Sequence, residues 1–142
     1  MTQRQVDTLT TDECRDRLEN QEIGRVVFID EEGPAALPVN YGIAGDEIIM
    51  RVARGSHLRQ FIEKPVAFEV DYTDSEQASG WSVLVRGSGR EVPLPEVHTL
   101  LEQMHDKLPR PWAEGVHSTW LAIRIGSMTG RRLSGEIRAT LF

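Results

Sequence analysis

One short segment, from Arg51 to Gln60, has the residue types of an anion-binding site. It carries three arginines and a histidine but no acid: Arg51, Arg54, Arg59 and His57. Gly55 and Ser56 lie where a strand pattern gives way to a helical one. Glycine lets a backbone approach a ligand, a helix N-terminus offers unpaired N–H groups, and arginine makes bidentate hydrogen bonds with phosphate oxygens. The segment predicts a phosphate-binding corner; the alternative is a solvated turn whose arginines pair with surface acids.

The chain as a whole is acidic, which limits the kinds of partner. Its 142 residues include 22 Asp and Glu against 16 Lys and Arg, for a formal net charge of −6. A nucleic-acid-binding domain normally shows a basic face, so we expect no nucleic-acid partner. No apolar run approaches the roughly 20 residues that cross a bilayer, and the polar start of the chain lacks the apolar stretch of a signal peptide. We therefore expect a cytoplasmic protein without a membrane partner.

Two other groups of reactive residue types are interpreted as structural. Cys14 is the single cysteine, so neither an intramolecular disulfide nor a multi-cysteine zinc site is possible, and neighbouring carboxylates oppose its ionisation. His98, Glu102 and His105 share one face of a predicted helix, but their spacing is not that of a zinc-binding HExxH helix and no fourth ligand is indicated. A solvated helix edge explains these three residues, and we expect no metal site.

Strand patterns dominate the chain. β-Branched and apolar runs bounded by turn residues predict six strands: Ile23–Asp30, Ala35–Ile43, Glu47–Ala53, Val66–Tyr72, Gly80–Val92 and Thr119–Ile125. The first connections are too short for parallel crossovers, so the strands are expected to be antiparallel, and closure into a barrel would remove exposed sheet edges. Gly87 and Gly89 within the fifth strand predict a bulge or a sharp bend.

Three helices flank the predicted strands. A short helix begins at Thr10 or Thr11 and runs to about Glu19, and a second is predicted from His57 to Glu63. The clearest helix is predicted from Pro93 to Leu108. Its apolar residues recur at intervals of three and four: Leu94, Val97, Leu101, Met104 and Leu108.

The length of the chain fits a single domain over residues 1–142. Residues from about Gly130 onward have the composition of a tail. The packed fold is therefore expected to leave out about residues 1–8 and 134–142.

The order and spacing of these segments resemble a known family. The matching pieces are IGRVVFID (Ile23–Asp30), LPVNYGIAGDEIIMR (Leu37–Arg51), GSHL (Gly55–Leu58), VAFEVD (Val66–Asp71), SGWSVLVRG (Ser79–Gly87) and SMTGRRL (Ser127–Leu133). The chain is similar to the pyridoxamine 5′-phosphate oxidase-like family of FMN-binding split β-barrels, in particular its small actinobacterial branch related to nitroimidazole-resistance proteins. The resemblance implies a mainly β fold, a six-stranded antiparallel split barrel with flanking helices, and a homodimer with two equivalent FMN sites at the interface.

The resemblance also implies which residues contact the cofactor. They come from four segments: Pro38, Val39, Asn40 and Tyr41 along the flavin ring; Arg51 and Val52 on the next strand; Ser56 and His57 at the phosphate; and Trp81 and Ser82 from the facing subunit. The family often has Lys or Arg where this chain has His57, so neighbouring arginines would have to compensate. Asn40 also fits a bond to a backbone edge, and Tyr41 and Trp81 also fit the core.

The activity of the family implies that this chain is a flavin-dependent oxidoreductase. Its substrate would be a small conjugated or nitro-aromatic molecule. The flavin would carry the electrons or hydride, and the protein would position it. No catalytic side chain is assigned, and Tyr41 and His57 are the polar residues nearest to the implied site. Two alternatives stay open: the same fold with the deazaflavin F420 or haem in place of FMN, and a flavin-binding or storage protein without turnover.

Overall fold

The computed structural model describes residues 5–53, 55–104 and 118–134. Arg54, the predicted helix end at residues 105–108 with His105, and the ends of the chain at residues 1–4 and 135–142 lie outside the described residues. The described strands are β1 (Gln5–Thr8), β2 (Ile23–Asp30), β3 (Gly33–Ala44), β4 (Glu47–Ala53), β5 (Pro65–Asp74), β6 (Ser79–Glu91) and β7 (Ser118–Ser134). The described helices are α1 (Thr11–Glu19), a single 3₁₀ turn (His57–Phe61) and α2 (Leu94–Met104).

Six of the strands close into an antiparallel barrel. Their order is β7-β4-β3-β2-β5-β6, and β6 pairs back onto β7 to complete the ring. This confirms the predicted mainly β, six-stranded split barrel. Strand alternation points one set of side chains into the barrel, where Val26, Phe68 and Val83 are fully buried. The helix α1 packs over one end of this core through Cys14 and Leu18.

The helix α2 covers a second, smaller core on the outside of the barrel. Its Val97, Leu100 and Met104 pack against Ile49 and Ala122, which lie on the outer faces of β4 and β7. The predicted apolar stripe is therefore partly wrong. Leu94 is 75% exposed, and Leu100 packs against the sheet instead. The spacing of apolar residues predicts that a helix has an apolar face, but the position of the sheet decides which residues of the helix are covered.

Both ends of the described chain hold more structure than the sequence predicts. The strand β1 pairs with the far part of β7 from Gln5↔Ser134 to Thr8↔Arg131, and β7 itself runs through Gly130 to Ser134. The expected tails at residues 1–8 and from Gly130 onward are therefore corrected for residues 5–8 and 130–134. These segments are too polar to give an alternating pattern, and backbone hydrogen bonds to neighbouring strands make them strands.

The predicted bend near Gly87 is confirmed. The β6–β7 register jumps from Arg86↔Ser127 to Gly87↔Ile125, so Gly126 is the extra residue of a β-bulge in β7. A Cβ on Gly87 would overlap the carbonyl oxygen of Arg124. The close approach of the two backbones at the bend therefore requires glycine.

Candidate functional site

The barrel splits between β3 and β4. Their ladder runs only from Ala44↔Glu47 to Tyr41↔Met50. Beyond it, β3 continues along β2 with Pro38 opposite Arg25, and β4 continues along β7 with Arg51 opposite Trp120. The two strands therefore stop pairing with each other at the segments that the resemblance assigns to the cofactor. We call this opening the β3–β4 groove, and its outer face is formed by Pro38, Asn40, Arg51 and Ala53.

Strand alternation divides the predicted residues between two faces. Val39, Tyr41 and Val52 are buried at 4 to 7% exposure and belong to the barrel core. Pro38 and Arg51 are exposed and Asn40 is half-buried, and the alternation places all three on the outer face. Side-chain contact with a ligand in the groove is thus open to the outer three, whereas the inner three offer only backbone groups.

Tyr41 has a structural role. Its hydroxyl donates a hydrogen bond to the carbonyl oxygen of Leu18, and its ring meets the edge of Phe68 at 4.9 Å between centroids. Burial raises the pKa of the Tyr41 hydroxyl above its usual value. Of the two readings for Tyr41, the structure supports the core residue that ties the barrel to α1.

Arg51 is the one cation without an ion-pair partner among the described residues of the predicted corner. Within the described part of the chain it forms no ion pair. Its guanidinium carbon instead lies 5.8 Å from the ring centroid of Trp120, its partner in register on β7. Trp120 is half-buried and packs against the cluster under α2. Sequence reading missed Trp120 because its proximity to Arg51 depends on the β4–β7 register, which no local pattern carries.

His57 and Arg59, the other described basic residues of the corner, have hydrogen-bond partners within the chain. Gln60 Nε2 lies 3.2 Å from His57 Nδ1, and His57 Nε2 lies 3.0 Å from Asp30 Oδ2. The ring tautomer with its hydrogen on Nε2 satisfies both contacts: Nδ1 accepts from Gln60 Nε2, and Nε2 donates a hydrogen bond to Asp30. That hydrogen bond lowers the pKa of the Asp30 carboxyl. Arg59 pairs with Glu91 at 3.3 Å. Neither side chain is thus free to serve an anion in the way the sequence suggests.

Ser56 caps the 3₁₀ turn, which replaces the longer helix predicted over His57 to Glu63. Its Oγ accepts a hydrogen bond from Leu58 N at 3.2 Å. The hydroxyl hydrogen stays available, because a serine oxygen accepts and donates at once. Gly55 before it has φ +83°, a conformation that favours glycine, with open space beside it. The turn leaves one hydroxyl donor near the end of β4.

Trp81 and Ser82 are separated from Arg51 by most of the length of β7. Trp81 is opposite Arg132 near the end of β7, whereas Arg51 is opposite Trp120 near its start. The strand β7 is 17 residues long and rises about 3.3 Å per residue. Trp81 packs partly on the core, with the guanidinium carbon of Arg17 at 5.8 Å from its ring centroid.

A carboxylate pair lies on the outer face next to the groove. Arg25, opposite Pro38, is within 3.3 Å of Glu69 and 3.2 Å of Asp71 on β5. Burial and the neighbouring Asp71 carboxylate raise the pKa of Glu69 to about 7. Glu69 is therefore the carboxyl of this pair that binds a proton more readily than an ordinary glutamate does.

The remaining candidate residues have simple surroundings. Cys14 is fully buried, and that burial raises the pKa of its thiol, as a structural cysteine requires. His98 and Glu102 are exposed on α2. Over residues 5–53, 55–104 and 118–134, no three His, Cys, Asp or Glu side chains are grouped as metal ligands would be. Among these same residues, no helix has the length and apolarity to span a membrane.

Comparisons with known proteins agree with this geometry. The chain is 30% identical to the uncharacterized protein Rv0080 of Mycobacterium tuberculosis over 141 residues, 95% of this chain and 90% of that protein. The FAD binding protein from Mycobacterium smegmatis is 28% identical with a TM-score of 0.72, over 89% of this chain and 98% of that one.

The FAD and heme binding protein from Mycobacterium smegmatis shares the fold alone. It has a TM-score of 0.71 at 20% identity, over 94% of this chain and 76% of that one. The family model described as pyridoxamine 5′-phosphate oxidase matches residues 10–132. The chain therefore belongs to the pyridoxamine 5′-phosphate oxidase family of split barrels.

Proposed function

We propose that the protein binds a flavin, FMN, in the β3–β4 groove of a homodimer and uses it for redox chemistry on a small molecule. The observation that carries the proposal is the split of β3 from β4 beside Arg51. Arg51 lies on the outer face beside this split, and within the described residues it pairs with no carboxylate. The split and the uncommitted charge together fit a ligand with a flat ring and an anionic end.

The outer face of the groove suits the two parts of such a ligand. Arg51 would bind the phosphate with parallel N–H donors, and the Ser56 hydroxyl would add one more hydrogen bond. Pro38 and Asn40 would line the ring, and the inward Val39 and Val52 would keep the floor beneath it dry. The flavin supplies electron transfer, while the chain supplies position and exclusion of water.

A second subunit would complete this site. Trp81 and Ser82 lie at the opposite end of β7 from Arg51. In a homodimer they would come from the facing subunit, as the family resemblance implies.

Flavin is favoured over haem by the donors at hand. Haem iron takes an axial His, Cys, Met or Tyr. The described outer face of the groove offers none of these, since Tyr41 points into the core. The 28% identical FAD binding protein supports a flavin, and the single uncommitted arginine of the described corner suits the one phosphate of FMN.

Protein purified without added cofactor tests the proposal. We expect absorption bands near 370 and 450 nm, which identify a flavin. Their intensity should correspond to about one flavin per chain. Heat release followed by chromatography distinguishes FMN from FAD. Haem or F420 spectra would contradict a flavin, and flavin that does not cycle with a reductant and an acceptor would leave a storage protein.

The phosphate assignment is tested by paired variants. Arg51→Ala with Ser56→Ala should give a folded protein that binds FMN at least about tenfold more weakly, since one charge-assisted hydrogen bond contributes roughly 1.5–3 kcal/mol. Arg59→Ala is the matched control, because Arg59 is committed to Glu91. Equal FMN affinity in the double variant and the control would refute the assignment.

A further inference from the structure

Arg51 and Trp120 form one of the two arginine–indole contacts among the described residues, and the one that lies beside the β3–β4 groove. The two residues are opposite each other in the β4–β7 ladder, and the guanidinium carbon is 5.8 Å from the indole centroid. The indole is itself fixed, because it packs against the cluster of Ile49, Ala122 and the buried face of α2. Arg51 thus contacts an indole ring whose movement would disturb the packing of that cluster.

We infer that Trp120 is a positioning residue that pre-orients Arg51 for the anionic end of the ligand. The inference rests on the proposed function and extends it to the residue that prepares the site. An exposed arginine has much rotamer freedom to lose when it binds a phosphate. Contact with the indole face reduces that loss before the ligand arrives, and it leaves the N–H edge of the guanidinium free for hydrogen bonds.

An aromatic partner suits this task better than a carboxylate. A carboxylate would occupy the same N–H donors that a phosphate needs and would repel the phosphate charge. Arg59, bonded to Glu91 at 3.3 and 3.4 Å, shows that arrangement a short way along the chain. The indole attracts the cation through its face and competes for no hydrogen bond, so Arg51 is held but not neutralised.

The test compares the affinities of the apoprotein for FMN and for riboflavin, which lacks the phosphate. The dissociation constant for riboflavin divided by that for FMN isolates the contribution of the anionic end. We expect Trp120→Leu to lower this ratio about two- to fivefold, the equivalent of roughly 0.5–1 kcal/mol for an exposed cation–π contact. Trp120→Phe should restore most of the ratio, because a phenyl face still attracts the guanidinium.

Two further variants separate positioning from packing. Leu101 packs half-buried against the same cluster as Trp120. Leu101→Ala should therefore lower stability without changing the ratio. In an Arg51→Ala background, Trp120→Leu should have no further effect on the ratio, because Trp120 acts through Arg51. An unchanged ratio in Trp120→Leu, or additive effects in the double variant, would overturn the inference.

A second measurement needs no flavin. The Nε–H group of Arg51 should show restricted nanosecond motion by ¹⁵N relaxation in the apoprotein and should become mobile in Trp120→Leu. If the wild-type protein binds no flavin, the proposed function fails while this measurement still decides whether Trp120 orders Arg51. An Arg51 side chain equally mobile in both proteins would refute the positioning role by itself.

Discussion

At the scale of single residues, the direction of a side chain decides its role more than its type does. Tyr41 and Asn40 are neighbours on β3, yet the first points into the core and the second lies on the outer face. His57 and Arg51 belong to the same basic segment, yet the first is bonded to Asp30 and the second is held by an indole ring. The residue types make all four residues candidates, and their contacts then distinguish them: Tyr41 packs in the core and His57 is bonded to Asp30, whereas Asn40 and Arg51 lie on the outer face.

Tyr41→Phe tests this distinction. The variant removes the hydrogen bond to the Leu18 carbonyl oxygen and leaves a buried acceptor without its partner, so we expect a loss of about 1–3 kcal/mol in the free energy of unfolding. Flavin affinity should stay within a factor of two or so, because a change confined to the core leaves the groove intact. Urea unfolding and flavin titration measure the two effects. A strong loss of flavin with unchanged stability would place Tyr41 at the ligand after all.

At the scale of elements, one arginine fastens α2 to the barrel. Arg90 on β6 donates to both carboxylate oxygens of Glu47 on β4, at 2.6 and 2.8 Å. It also donates to both oxygens of Glu96 on α2, from Nη1 at 3.0 Å and from Nη2. The network therefore spans β7 and fixes the helix whose cluster supports Trp120.

Arg90→Met is expected to destabilise the protein by about 2–3 kcal/mol, because it leaves two partly buried carboxylates facing each other without their donor. The matched control is Arg59→Met, whose exposed pair with Glu91 should contribute less than about 1 kcal/mol. Urea unfolding of both variants makes the comparison. Similar losses in the two variants would mean that the Arg90 network is no stronger than a surface pair.

Acid should weaken the same network. The Arg90 hydrogen bonds hold the pKa of Glu96 below its ordinary value of 4.5. Stabilisation from this pair is therefore present above pH 4.5 and is lost as the pH falls through the lowered pKa of the folded state.

At the scale of the whole molecule, two large apolar side chains are exposed on the outer face of β2. Ile23 is 47% and Ile29 is 64% exposed, and the charged Arg25 lies between them on the same face. Ile23 is opposite Asn40 of the β3–β4 groove. Ile23 therefore adjoins the proposed flavin site, and we propose that the second subunit of the homodimer covers it.

Ile23→Asp tests the dimer. A carboxylate buried at an interface is costly, so the variant should sediment as a monomer and should also lose flavin. Leu94→Asp is the matched control, because Leu94 is 75% exposed on α2 and should leave the dimer intact. Analytical ultracentrifugation measures the mass of both. Dimers in both variants would move the interface to another face, and a monomeric wild-type protein would contradict the homodimer.

The sequence by itself determined the barrel. Alternating apolar residues such as Val26 and Phe28, short turns, and the glycines at the bend of β6 are local signals, and they specify antiparallel strands and their order. The local chemistry of the residue types indicated the corner that holds Arg51. The family resemblance, not local chemistry, indicated the segment that holds Pro38 and Asn40.

Tertiary structure alone decided which of these residues lie on the outer face and which partners they contact. The strands β1 and the far part of β7 exist because each finds a partner across the sheet, not because of their own polar sequences. The contact of Arg51 with Trp120, the engagement of His57 by Asp30, and the split of β3 from β4 all join residues distant in the chain. The register of the strands and the face on which each side chain lies are set by the packing of the whole barrel. No short segment of the sequence specifies them.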